Sequence, residues 1–404
     1  MPERVALVRC AEYDPTQVEA AVRRSVELLG GMEAFVQPGQ RVLLKPNLVR
    51  AAPPEKAIST HPTVVAAVAK LVREVGGQPF IAESPGGPYT AGILRASYRK
   101  TGMAQAAEES GAELNFDTRA VQVSHPEAKV LYRLDLIQPA VEADVIINLP
   151  KLKTHNLSAL TLAVKNLYGL VPGTIKISYH AKLQQRELFC QGLVDLLTYV
   201  KPALQIMDAV VGMEGEGPSG GDPRPIGAIL ASPSALAMDI VAAALVGFDP
   251  LDVLTTRVAV ERGLTSGRLE DVELVGDSLE ELRVPDFRKG IEAELDPGLV
   301  PRFLRRLLRM ESSAEGDARG RGLFRALSSG WVWKQLVAMP YATEKCVGCG
   351  YCAENCPVQA IQIVDGRARM DGRTCIRCYC CHELCPYSAI ELRRPLLGRL
   401  LMGR

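Results

Sequence analysis

Nine of the eleven cysteines in this 404-residue chain crowd between Cys346 and Cys385. At that density, in a chain whose N-terminus (MPERVALVRC) lacks an export signal, they read as metal-binding thiolates rather than disulfides. CVGCGYCAENCP sets Cys346, Cys349, Cys352 and Cys356 in the spacing C-x2-C-x2-C-x3-C-P. The same spacing returns at Cys375, Cys378, Cys381 and Cys385, followed by Pro386. Two-residue spacers let three thiolates of one tight loop grip three irons of a cubane, while the fourth iron is reached from the other repeat. The duplicated run therefore predicts two [4Fe–4S] clusters. Cys346, Cys349, Cys352 and Cys385 would hold one, and Cys375, Cys378, Cys381 and Cys356 the other. Zinc also binds C-x2-C pairs, but eight cysteines in this duplicated form fit a zinc site poorly. Cys380 breaks the rhythm. As a ligand in place of Cys381 it would leave C-x-C and C-x4-C spacings, so it is surplus: either tolerated, or a tuner of the cluster through a weak S–H contact.

A second constellation lies far upstream, after a series of apolar runs. Lys45 and Asn47 follow VLL, and Glu83 and Ser84 follow FIA before a PGGP turn. Lys151, Lys153, Thr154 and His155 follow DVIINLP, and Asp208 and then Glu214 follow LQIM. Lys165 and Asn166 sit in VKNLYG, with His180 shortly after. Ligands of open α/β sheets lie beyond the carboxyl ends of the strands. Lysines concentrated there suit an anionic small-molecule substrate, a carboxylate or phosphate. In this reading Lys153, His155 and His180 are the catalytic candidates, a histidine supplying the proton, and Lys45, Asn47, Glu83, Ser84, Lys151, Lys165, Asn166, Asp208 and Glu214 bind substrate. The bland alternatives are surface-loop histidines and, for His61 before Pro62, a helix cap. Two motifs fail on inspection. GEGPSG matches G-x-G-x-x-G, but Pro218 and the following GDPRP cannot open the helix a dinucleotide needs, and no P-loop sequence exists.

The elements that would position these residues alternate. RVALVRC, RVLLKPN, QPFIAES, DVIINLP, LQIMDAV and IGAILAS read as strands. Helices open at Asp14-Pro15 and in HPTVVAAVAKLVREVGG. Runs that are apolar throughout fit a mostly parallel sheet covered on both faces, an open α/β fold over residues 1–285. Ile226 to Phe248 is apolar enough to suggest a membrane span, but Pro233 and Asp239 make it strand, turn and buried helix. Residues 286–338 read as a helical connector and linker: Leu299 to Met310 is a basic amphipathic helix, with membrane-surface contact as its less favoured reading. A cysteine-rich domain at 339–395 and a basic tail at 396–404 complete the chain. The hydrophobic content of 47%, charged content of 23% and net charge of +1 are those of a globular protein and give no case for nucleic acid. A cytoplasmic location is expected.

The cysteine module, Lys345 to Arg394, resembles bacterial-type two-cluster ferredoxins, and AIQIV and AIEL match the short strands of that small α+β domain. Residues 341–404 carry nine Lys and Arg against six Asp and Glu; basic positions such as Arg367, Arg369, Arg373 and Arg377 suit an anionic docking partner. VLLKPNL, STHP, ESPG, NLPKLKTH, VKNLYG and the pattern of Asp208, Glu214, Gly215, Gly217 and Pro218 resemble, over residues 4–280, the family called domain of unknown function 362. Its members often carry a two-cluster ferredoxin module. That resemblance implies a fold and a candidate site but no settled reaction. The leading expectation is an iron–sulfur, ferredoxin-fused reductase that takes low-potential electrons from a redox partner protein to a substrate at the strand ends. The alternatives are a non-catalytic carrier or assembly subunit, and a mononuclear metal site built from the histidines with Glu83 or Asp208.

Overall fold

The computed structural model describes residues 3–291, 337–396 and 398–399. The basic amphipathic segment Leu299 to Met310 and most of the basic tail lie outside the described residues.

Twelve strands are described before residue 280: β1 (Glu3–Arg9), β2 (Arg41–Pro46), β3 (Gln78–Ile81), β4 (Glu113–Leu114), β5 (Ala120–Ser124), β6 (Arg133–Ile137), β7 (Val145–Leu149), β8 (Lys151–His155), β9 (Ala159–Thr161), β10 (Leu204–Glu214), β11 (Asp222–Ser232) and β12 (Val272–Gly276). Ten form one sheet in the order β12-β1-β11-β10-β7-β2-β3-β4, with β8 beside β10 and β9 beside β8. The remaining two, β5 and β6, pair with each other. Most ladders are parallel; β11 runs antiparallel to both β1 and β10. Side chains alternate across the sheet: Val5, Leu7 and Leu43 enter one apolar cluster, and Ala6, Val8, Val42 and Leu44 the other. Both faces are thus covered, as uniformly apolar strands require.

Local chemistry sets the flanking helices. Asp14 accepts from the N–H groups of Thr16 (3.1 Å) and Gln17 (3.0 Å), opening the helix Pro15–Glu27. His61 caps the helix Pro62–Glu74 through Nδ1, which accepts from Thr63 N at 3.3 Å. The apolar stretch suspected of crossing a membrane resolves into β11, a turn and the buried helix Ala235–Leu245. Among the described residues no helix is long and apolar enough to span a bilayer.

LQIMDAV and IGAILAS are not separate short strands. They lie within the long antiparallel hairpin β10–β11, with Ile206 opposite Ala231 and GEGPSG at its tip. KLKTH, read as polar residues beyond a strand end, is itself strand β8, with all five side chains buried.

The cysteine-rich domain pairs β13 (Met339–Ala342) with β16 (Ile390–Arg393), and β14 (Ile361–Val364) with β15 (Arg367–Met370). AIQIV and AIEL supply the strands expected of them. Short helices Tyr351–Glu354 and Cys380–Leu384 lie within the two cysteine runs.

Candidate functional site

Beyond the ends of β2, β3 and β8 lies a cavity of about 690 Å³ including its mouth. Asn47, Glu83, Lys153, Lys165, Asn166, Lys176 and His180 line it from the α/β domain, and Cys380, Glu383 and Leu384 close it from the cysteine-rich domain. The ammonium of Lys45 stands behind Glu83, paired with its carboxylate and donating to Pro46 O at 2.9 Å. Lys176 lies 3.8 Å from the other Glu83 oxygen and donates to Ser84 O. Lys153 donates to two neutral oxygens, Asn47 Oδ1 at 2.6 Å and Ile58 O at 2.5 Å. A chain of buried carboxamides fixes the strand ends: Asn47 donates to Asn166, Asn166 to Asn148 (2.8 Å each), and Asn148 to Gln205 (2.9 Å). The short helix Ala163–Asn166 presents Lys165 and Asn166. Its first N–H groups are capped by Asp239, which accepts from Ala163 N (2.7 Å) and Val164 N (3.2 Å). That is why a carboxylate sits inside an otherwise apolar helix.

Burial sets the electrostatics. It lowers the pKa of Lys45, against the pull of Glu83, and lowers Lys153 and Lys165 as well. Lys176 is lowered to about 8, chiefly by burial and partly offset by Glu83. Burial also lowers His180 to about 4 and His155 to about 3, so both are neutral at neutral pH. His155 sits behind Glu383 rather than in the cavity. Its Nδ1 accepts from Leu157 N at 3.0 Å, and its Nε2 lies 3.1 Å from Glu383 Oε1, outside hydrogen-bond geometry. Burial opposes the charge on Glu383, but His155, Lys165 and His180 together outweigh it and hold the carboxyl below its ordinary range.

The remaining sequence candidates lie apart. Lys151 donates to Asp208 (2.7 Å) and Tyr13 (2.6 Å), and Tyr13 donates to Asp208 (2.8 Å) and stacks on His61 at 3.6 Å. None of these four lines the cavity. Glu214 anchors Arg288 at 2.8 Å. Ser84 is buried beside Lys176, its hydroxyl without a hydrogen-bond partner among the described residues. With Glu83 committed to Lys45 and Asp208 to Lys151, no three His, Cys, Asp or Glu side chains among the described residues of the α/β domain are grouped to hold a metal ion. Sequence reasoning missed Lys176, Asn148, Tyr13 and Glu383. Lys176 lies on a helix away from any strand end, Asn148 and Tyr13 lie inside and just past runs read only as strands, and Glu383 was hidden in a segment read only for its sulfur.

The cysteine-rich domain fits an iron–sulfur group by its own geometry. Equivalent backbone donors reach the sulfur of equivalent cysteines: Ala360 N to Cys356 and Ala389 N to Cys385, both at 3.2 Å. Ala368 N and Arg377 N reach Cys346 and Cys375, both at 3.4 Å. N–H donors to sulfur stabilise thiolate ligands. Burial, with smaller contributions from Cys385, Cys346 and Cys349, raises the Cys352 thiol to about 11. Burial raises Cys375, which has Cys378 and Cys356 beside it. Cys356, Cys375, Cys378 and Cys381 line a second cavity of about 340 Å³. Cys380, buried and hydrogen-bonded to Cys378, lines both this cavity and the lysine-rich one.

The two domains meet closely. A Cβ on Gly86 would strike the Leu384 side chain, and one on Gly87 would strike the Tyr351 hydroxyl. Ser219 donates to Glu383 O at 3.0 Å, Arg50 to Ser388 at 3.0 Å, and the His382 ring spans Ile390 O (2.6 Å) and Glu216 O (3.2 Å).

Such a molecule is an iron–sulfur electron-transfer protein built on an open α/β sheet. The chain belongs to the family described as Domain of unknown function (DUF362), which matches residues 42–244, and a 4Fe-4S binding domain matches residues 339–362, the first of the two cysteine runs. It is 38% identical over 268 residues to the "Thylakoid-associated protein sll1697" of Synechocystis sp., covering 65% of this chain and 81% of that protein. Its fold is also similar to the lactate racemase apoprotein of Thermoanaerobacterium thermosaccharolyticum (TM-score 0.36, 12% identity, 58% of this chain and 54% of that one). A protein from Thermotoga maritima is similar to a like degree (TM-score 0.35, 11% identity, 56% and 57%). This chain thus spans little more than half the length of either solved structure.

Proposed function

We propose that the chain is a ferredoxin-fused reductase that passes low-potential electrons from a redox partner protein to an anionic substrate in the lysine-lined cavity. The supporting observation is a shared wall. The helix Cys380–Leu384 belongs to the second cysteine run, and three of its residues close the cavity that Lys153, Lys165, Lys176 and His180 line. Two [4Fe–4S] clusters, held as the sequence pairing has it, would each carry one electron at a time. Cys349 is exposed while Cys380 is buried, which favours entry at the cluster held by Cys346, Cys349 and Cys352, and exit beside Cys380.

The protein's own groups do the rest. Lys153 and Lys165 attract the anion, and the partly enclosed cavity strengthens that attraction by limiting water. A substrate that gains electrons becomes more basic and needs a proton. Lys176, with a pKa of about 8, suits that donation near neutral pH better than His180 or His155, which burial keeps neutral. In this reading His180, stacked on Phe189 at 4.4 Å, shapes the cavity, and His155 positions Glu383.

The test is anaerobic. The protein is reduced, mixed with candidate anionic acceptors, and followed by the visible absorbance of its clusters. Reoxidation by one acceptor that slows about tenfold or more in K153M and K176M supports the reading; rates indifferent to both substitutions overturn it. The name of the cyanobacterial relative favours a second reading, an electron carrier held at a membrane surface through the basic segment Leu299 to Met310. Co-sedimentation of the full chain with anionic vesicles, lost when Arg302, Arg305, Arg306 and Arg309 become glutamate, distinguishes it.

A further inference from the structure

Six charged side chains line the lysine-rich cavity or stand against its lining: Lys45, Lys153, Lys165 and Lys176 against Glu83 and Glu383. Glu83 is taken up by Lys45, with Lys176 at 3.8 Å, and Glu383 faces His155 at 3.1 Å. The cations exceed the anions by two. Lys153 rests only on neutral oxygens, and Lys165 makes no hydrogen bond and no ion pair among the described residues. A third polar group is also left waiting. Thr161 is 2% exposed and lines the cavity, yet its hydroxyl has no partner among the described residues. Leu48, Tyr168, Ile177 and Leu384 add an apolar part to the wall.

We infer that the cavity takes a small organic dianion, a dicarboxylate or a phosphate monoester, with Lys153 and Lys165 neutralising its charge and Thr161 donating to it. The inference rests on the reading of this cavity as a ligand site. Two ammonium groups set near each other without an ion-pair partner in direct contact repel each other and are partly stripped of hydration. A monoanion relieves one of them and a dianion both, so selection by charge is built into the walls. The apolar part of the lining accounts for an organic body of small size. Burial lowers both lysines while the cavity holds no anion, and a bound anion would push them back up.

The experiment is calorimetric and needs no electron transfer. The full-length, cluster-loaded protein is titrated anaerobically with acetate, succinate and inorganic phosphate at fixed ionic strength. At least one dianion should bind about tenfold or more tighter than acetate. Succinate binding over phosphate identifies a dicarboxylate site, and the reverse a phosphate site. K165M should lose that preference, K165R should retain it, and T161V should weaken binding a few-fold, about 1 kcal/mol of hydrogen bond. Acetate binding as tightly as both dianions, or K165M binding like the parent with its clusters intact, overturns the inference. Dianion binding without cluster reoxidation by any acceptor would overturn the reductase reading and leave this one standing.

Discussion

Lys176 is the titrating group of the cavity, and its behaviour separates function from folding. Its pKa of about 8 lies below the ordinary lysine value, so the ammonium is present below pH 8 and lost above it. Substrate affinity and proton supply should therefore hold steady up to about pH 8 and fall beyond. Stability moves the other way. Between about 8 and the unfolded value the unfolded chain binds more protons, so this residue's contribution to stability rises with pH across the window. A pH profile of cluster reoxidation that falls above 8 while the unfolding midpoint does not, and that flattens in K176M, is the expected result. At this scale the cysteines were legible in the sequence because metal ligation fixes their spacing. Asn47 and Glu83 were legible because they stand just past strand ends, whereas Lys45 and Lys153 lie inside β2 and β8 and Lys165 on a short helix. Lys151 and Asp208 satisfied the same rule and still went elsewhere, since nothing in a linear pattern says that Tyr13, some 195 positions from Asp208, will bind both.

Among the elements, the four-residue helix Ala163–Asn166 is too short to persist on its own amide bonds and depends on Asp239. Replacing that carboxylate by leucine strands two buried N–H groups at a cost of about 2–4 kcal/mol. D239L should lower the unfolding midpoint by that amount in denaturant titration. It should also weaken dianion binding, because Lys165 loses its platform, whereas D239N should be milder on both counts. The sequence marked Asp239 only as an argument against a membrane span. Its purpose emerges from a contact 76 residues away. β8 escaped notice for a related reason: lysines on a strand suggest an exposed face until partners such as Asn47 and Asp208 are seen to bury them.

At the scale of the molecule, the two domains touch through glycines that the sequence showed only as a PGGP turn. G86V should push Leu384 off its seat and part the domains. Cluster spectra and α/β stability should then stay near those of the parent, while reoxidation by the cavity's substrate slows about tenfold or more, as a change of about an ångström in placement does elsewhere. The division into an α/β sheet and a ferredoxin-like module was legible, since each has its own period and spacing. Their mutual docking was not, because it rests on missing side chains at Gly86 and Gly87 and on hydrogen bonds such as Arg50 to Ser388 and Ser219 to Glu383 O, between residues far apart in the chain.

The helix Cys380–Leu384 has five residues, and sulfur ligation on both sides is what would hold it in shape. A chain that has not yet received its iron then lacks a wall to its cavity as well as its redox groups. Ligand capture becomes a reporter of maturation: a half-made protein cannot sequester substrate that it has no electrons to serve. Protein produced under iron starvation should bind the dianion poorly in calorimetry, and anaerobic cluster reconstitution should restore the affinity in step with the return of cluster absorbance.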